Sequence, residues 1–191
     1  MTISRPRTLR ADAQRNYDAL VAAGHEVFVS HGVDAPFDEV AKRAGVGRAT
    51  LYRNFPTREH LFVVLLGDQL DLLREEAEGA LAAGASAVAL ASWLRLYYQT
   101  GRRYRGMSAH LATGADRGAH GHADTASPMA LACAPMRAAF AALLAAAQQE
   151  GTVRDDVAPE EVLALISGLP SLSATESGSP YLDVVLDGLR A

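Results

Sequence analysis

Apolar side chains recur along this chain at intervals of three and four residues, and no stretch alternates strictly between apolar and polar. In residues 9–31, Tyr17, Leu20, Val21, Gly24, Val27 and Phe28 fall at i, i+3, i+4 and i+7 spacing, which puts them on one face of a helix. Gly32 follows as a C-cap. Residues 36–44 predict a short second helix that buries Phe37, Val40, Ala41 and Ala44. Pro36 suits its first turn, and Asp38 and Glu39 suit its positive end. Gly45-Val46-Gly47 then makes a tight turn, and residues 48–54 form a third helix with Val46, Leu51 and Phe55 turned inward. Pro56 breaks the chain, and Thr57 is placed to cap a long fourth helix over 58–80. Its inner stripe is Phe62, Leu65, Leu66, Leu70 and Leu73, with Asp68, Asp71, Glu75, Glu76 and Glu78 outside.

The same period continues to the end. Helices are expected at 86–104, at 106–113, at 128–150, at 159–172 and at 180–189. Ser127-Pro128, Pro159-Glu160-Glu161 and Ser179-Pro180 mark three of the starts. Residues 114–127 read as loop. The prediction is an all-α chain of about nine helices with no strand and no repeat.

The chain has 191 residues, 49% of them hydrophobic and 21% charged, enough for a packed core and far from the composition of disorder. No apolar run approaches the roughly 18 residues that span a membrane. The N-terminus MTISRPRTLRADAQ has no apolar signal core, which points to a cytoplasmic protein. A lone cysteine, Cys133, can neither close an internal disulfide nor build a zinc site. His120 and His122 stand near Asp116 and Asp124, but in a glycine-rich stretch that reads as solvated loop, so no metal and no cofactor is expected. No Ser-His-Asp order, phosphate-binding loop or HExxH occurs, and no enzyme is expected.

Charge changes the picture in one place. Residues 1–60 hold nine basic and seven acidic residues, net +2, on a chain whose net charge is -4. Between 40 and 58 lie Lys42, Arg43, Arg48, Arg53 and Arg58 and no acid. Such a run is either a solvated helical face or a polyanion site, since phosphate binding follows local potential. The helices decide in favour of DNA. Two short helices joined by a glycine turn and packed on a longer one make a helix-turn-helix. With Leu51 and Phe55 inside, the third helix presents Arg48, Thr50, Tyr52, Arg53 and Asn54. Arginine can grip guanine O6 and N7, and asparagine can grip adenine. Threonine and tyrosine hydroxyls suit phosphate. Arg58 opens the fourth helix, where its charge and the free backbone N–H groups can meet one phosphate.

Residues 10–62 resemble the DNA-binding domain of the TetR family of bacterial transcriptional regulators. The likeness lies in AGHEVFVSHG followed by DEVAKRAGVGRATLYRNFPTREHLF. It implies that Arg48, Thr50, Tyr52, Arg53 and Asn54 face DNA, that Arg58 meets phosphate, and that Leu51 and Phe55 are core. Three departures stand out. Ala35-Pro36-Phe37 replaces the usual hydroxyl residue before the second helix, Gly47 replaces a capping Ser or Thr, and Asn54 replaces a common histidine.

The resemblance also implies a domain 1–57 that binds DNA and a domain 58–191 that binds an effector and dimerises. A homodimer is expected because one such unit reads only a few base pairs, and its operator is then a near-palindrome in double-stranded DNA. Leu163, Ile166, Leu169, Leu182, Val185, Leu186 and Leu189 are the expected interface, with Gly168 allowing close approach. An apolar effector pocket is expected from Trp93, Tyr97, Met107, His110, Met129, Cys133, Met136 and Phe140. The facing alanines Ala138, Ala139, Ala142, Ala145 and Ala146 either leave room for a ligand or let helices pack closely. The run Arg102, Arg103, Arg105 favourably ends its helix. The expected function is a dimeric repressor released from its operator by a small, mostly apolar effector. The alternative is a DNA-binding protein with no small-molecule effector, gated by a partner protein or constitutive.

Overall fold

The structure, a computed structural model, describes residues 6–108, 111, 127–170 and 179–191, with side chains from residue 11 onward. Among them are eight helices: α1 (Pro6–His31), α2 (Phe37–Arg43), α3 (Arg48–Asn54), α4 (Arg58–Ala82), α5 (Ala87–Arg102), α6 (Pro128–Gln149), α7 (Pro159–Ser167) and α8 (Pro180–Gly188). Met107, Ser108 and Leu111 are also helical, which is as much of the expected 106–113 helix as the described residues contain. The all-α prediction holds. The single extended feature among the described residues is an isolated antiparallel bridge between Val153 and Arg190, which ties the C-terminus to the α6–α7 loop.

Several ends follow from local chemistry. Gly32 stops α1 with φ at +84°, a left-handed value that only glycine adopts freely. Its N–H donates to Phe28 O at 2.9 Å. Ser86 and Ser127 cap α5 and α6, accepting from Ala89 N at 3.2 Å and Ala130 N at 3.1 Å. The Glu161 carboxylate reaches back to Ala158 N at 2.8 Å and closes the first turn of α7. Thr57 does not cap α4 as expected. Its hydroxyl lies 2.8 Å from His60 Nδ1 instead.

α4 is the common axis. Its most extensive neighbour is α6, and it also packs on α5 and α1. Leu61, Phe62, Leu66, Leu70, Leu73 and Ala77 are its buried stripe. The approach to α1 is close, because a Cβ on Gly24 would stand 2.7 Å from Leu61 Cδ2. In the second half, Trp93 of α5 stacks on Phe140 of α6 at 4.5 Å and 17°, and its indole N–H donates to Leu73 O at 2.7 Å.

α6 corrects the expectation that no run is long enough for a membrane. It has 22 residues and a stretch of mean hydropathy 1.7, enough by length and composition to cross one. It is nonetheless a core helix here, with Met129, Cys133, Met136, Phe140, Leu143, Leu144 and Ala147 buried against its neighbours. Pro135 sits inside it, on the exposed side, where its missing N–H removes one intrahelical bond.

Candidate nucleic-acid interface

The first three helices form a compact unit whose inner residues fix what the outer ones can touch. Leu51 and Phe55 are 0% and 2% exposed. The Phe55 ring lies 5.3 Å from that of Tyr17 on α1. The turn between α2 and α3 closes through Val46 N to Ala41 O at 3.1 Å, with Gly45 at φ +67°. Gly47 stands at the N-cap of α3 with no side-chain cap. Arg48, Tyr52 and Arg53 are exposed, whereas Thr50 and Asn54 are half-buried. The Asn54 amide donates to Thr50 O at 2.8 Å within its own helix, so one of the two groups needed to grip adenine is already engaged.

Three of the five basic residues of the patch pair with acids that lie outside the 40–58 stretch. Arg43 pairs with Glu26 at 2.6 Å, Lys42 with Glu39 at 3.4 Å and Arg48 with Asp38 at 2.9 Å. Arg53 makes no ion pair or hydrogen bond among the described residues. Exposed pairs of this kind are worth about 0–1 kcal/mol, so phosphates can displace the acids at small cost.

Arg58 is placed differently from the expectation. It is half-buried, and its guanidinium donates to Val33 O and, at 2.7 Å, to Ala35 O. It clamps the α1–α2 turn onto the start of α4 with two of its five N–H groups. The next residue, Glu59, is 7% exposed and accepts from Met129 N, at the start of α6, at 3.5 Å. Two further contacts tie the end of α5 to α1: Tyr104 OH lies 2.8 Å from His25 Nδ1, and Arg105 donates to His31 O at 2.7 Å.

Two family models match in the same order as these units. Residues 20–65 match the bacterial regulatory proteins of the tetR family, and residues 85–191 match the C-terminal domain of SbtR-like transcriptional regulators. The chain belongs to the TetR family of transcriptional regulators. It is similar to the crystal structure of TetR transcriptional regulator SCO0520 from Streptomyces coelicolor. That likeness has 33% identity and a TM-score of 0.50, covering 91% of this chain and 98% of that one. A TetR transcription regulatory protein from Mycobacterium vanbaalenii is 32% identical, covers 96% of this chain and 99% of that one, and has a TM-score of 0.48. A search of curated proteins finds no match. Membership makes the chain a DNA-binding regulator whose helix-turn-helix is α2 and α3.

In the C-terminal half, the residues expected to line an effector pocket are packed together. Trp93, Tyr97, Met107, Met129, Cys133, Met136 and Phe140 are all at most 2% exposed. The Trp93 ring lies between Phe140 and Tyr97, and Cys133 Sγ is 3.6 Å from Met129 Sδ. His110 lies outside the described residues, as do Asp116, His120, His122 and Asp124. Burial pushes the Cys133 thiol up to about 11 and the Tyr97 hydroxyl up to about 12. Ala138, Ala142 and Ala145 face solvent, and so neither line a pocket nor pack a helix within the chain. A groove of about 300 Å³ lies between α4 and α5, lined by Ala80, Glu75, Glu76 and Trp93, the one expected pocket residue that borders it.

Sequence reasoning passed over Arg137. Its Nη2 donates to Leu111 O at 2.7 Å, while its Nε is buried with no partner among the described residues. It pulls against the burial that raises Tyr97 and Cys133. A lone arginine in an alanine-rich helix gives no periodic signal that would single it out.

The expected interface residues divide by face. Leu163, Ile166, Leu182, Leu186 and Leu189 are at most 6% exposed in the single chain, so they belong to its own core. Leu169 and Val185 are half-buried. On the outer side of the same helices stand Leu165, Tyr181 and Val184, at 53%, 45% and 71% exposure. The period of the stripe was legible, but the apolar residues run around both sides of α7 and α8, and only the fold tells inner from outer.

Proposed function

We propose that the chain is a dimeric repressor, acting in the cytoplasm on a near-palindromic operator and released from it by a small, mostly apolar effector. The observation that carries the DNA reading is α3: Leu51 and Phe55 lock it down while Arg48, Tyr52 and Arg53 stand outside. In this reading residues 1–57 read DNA and residues 58–191 bind the effector and the partner, with the boundary at the start of α4. The dimer contact in this reading is Leu165, Tyr181 and Val184 with Leu169 and Val185 beside them, since on α7 and α8 these keep apolar surface exposed. An effector that favours one placement of α4 over another changes the spacing of the two recognition helices. The Arg58 clamp, the Glu59 contact with α6 and the Tyr104–His25 contact are the links that support such coupling. Nothing in this reading calls for catalysis.

The test is a footprint on DNA upstream of the chain's own gene and on genomic fragments selected by the purified protein, at two salt concentrations. A protected near-palindrome, weakened by salt and lost in Tyr52→Ala, is the expected result. Selection that enriches no sequence, or equal protection by the variant, would sink it.

One observation favours the alternative of a regulator without a small-molecule effector. The Trp93, Tyr97 and Phe140 stack fills the place where a ligand was expected. A compound screen reading release from the selected operator separates the two. Release that is blunted by a substitution in this stack supports the effector, and release by a partner protein alone supports the alternative.

A further inference from the structure

Asp38 stands in the first turn of α2, and among the described residues it is the only acid that touches the recognition helix. Its Oδ2 lies 2.9 Å from Arg48 Nη2, and its Oδ1 accepts from Tyr52 OH at 3.2 Å. Arg48 and Tyr52 are four residues apart on the outer face of α3, so one carboxylate spans one turn of that face. The neighbouring Phe37 meets the Tyr52 ring edge-on at 5.6 Å and 82°. The other acids of the patch, Glu26 and Glu39, pair with α2 and leave α3 alone.

We propose that Asp38 is a positioning residue that sets the selectivity of α3 for its operator over other DNA. The inference rests on α3 being the reading helix. Phosphates occur at every step of every duplex, so a free arginine at the surface binds all sequences alike. Asp38 works against that in two ways. Its charge faces the same phosphates and repels them, and its grip makes Arg48 exchange one anion for another when it meets a phosphate. A guanine edge is different: it offers two acceptors in a fixed plane. A guanidinium held at Nη2 still has other N–H groups, already oriented, and loses less side-chain freedom on reaching that edge. Asp38 therefore weakens non-specific binding more than it weakens operator binding.

The experiment compares Asp38→Asn with wild type on two duplexes at several salt concentrations: the operator selected by the wild-type protein, and a scrambled duplex of equal length. The expected result is about 3- to 10-fold tighter binding of the scrambled duplex by the variant. Its salt dependence should steepen by about one phosphate, and operator affinity should gain less, so that selectivity falls. Asp38→Glu keeps the charge and should bind the scrambled duplex like wild type. An unchanged ratio of the two affinities in Asp38→Asn overturns the role of Asp38 and leaves the reading of α3 standing. If selection enriches no operator, or if Arg48→Ala and Tyr52→Ala bind the operator like wild type, the reading of α3 falls and the inference with it. Circular dichroism melts of both Asp38 variants, expected to match wild type, show that the comparison is between folded proteins.

Discussion

Leu51 and Phe55 decide what the rest of α3 can do, because a seven-residue helix pinned by a buried residue at its centre and another at its C-cap has only one face left. Arg48, Tyr52 and Arg53 take that face, while Asn54 turns its amide back to Thr50. Two buried ionisable groups of the C-terminal half, Cys133 and Tyr97, make a prediction about pH. Cys133 and Tyr97 are held neutral by burial, with Cys133 raised from 9.0 to about 11 and Tyr97 from 10.0 to about 12. The unfolded chain loses these protons first, as pH passes 9 and then 10. Both contributions are therefore complete below pH 9 and are lost as pH rises toward 11 and 12, by about 2–3 kcal/mol each. Urea denaturation at a series of alkaline pH values should show stability declining as pH rises above 9. In Cys133→Ala the part of the decline between 9 and 11 should flatten. A slope that is the same in both proteins would contradict the assignment.

At the scale of elements, the first turn of α4 joins what the sequence treats separately. Arg58 ties it to the α1–α2 turn and Glu59 to the start of α6. Arg58→Ala should lower unfolding stability by about 1–3 kcal/mol, since it leaves two backbone carbonyls without their charged donor. Arg58→Lys should recover only part of that, lacking the planar fork. Tyr52→Ala, at 41% exposure, should leave stability within about 0.5 kcal/mol while abolishing operator binding. Denaturation and binding titrations on the three variants separate the clamp from the reader. Equal stability in Arg58→Ala and wild type would contradict the clamp. The helices themselves were legible from apolar spacing and from proline and glycine punctuation, with ends shifted by a few residues. The Arg58 clamp was not legible, because its acceptors are carbonyls more than twenty residues away and carry no side-chain signature.

For the whole molecule, the proposed dimer raises the question of which surface a second copy covers. Val184 is 71% exposed and Ile166 1%, though both are apolar residues of the last two helices. Val184→Glu should leave the fold intact, shift the protein from dimer to monomer in light scattering, and weaken operator binding. Ile166→Glu should unfold it, as a charge placed in a sealed core does. A folded Val184→Glu that remains dimeric would move the interface elsewhere.

The sequence by itself determined the helical architecture, the helix-turn-helix and the family, because these depend on local periods, turn residues and a contiguous motif. It also determined which residues are apolar enough to be buried. Only the tertiary structure decided where each of those faces. It turned Leu163 and Leu186 inward and Leu165 and Val184 outward, and packed Trp93 against Phe140. It also brought Glu26 and Asp38 against a patch that has no acid within its own stretch. The physical reason is the same in each case: burial and ion pairing depend on distance in space, which neighbours along the chain do not record.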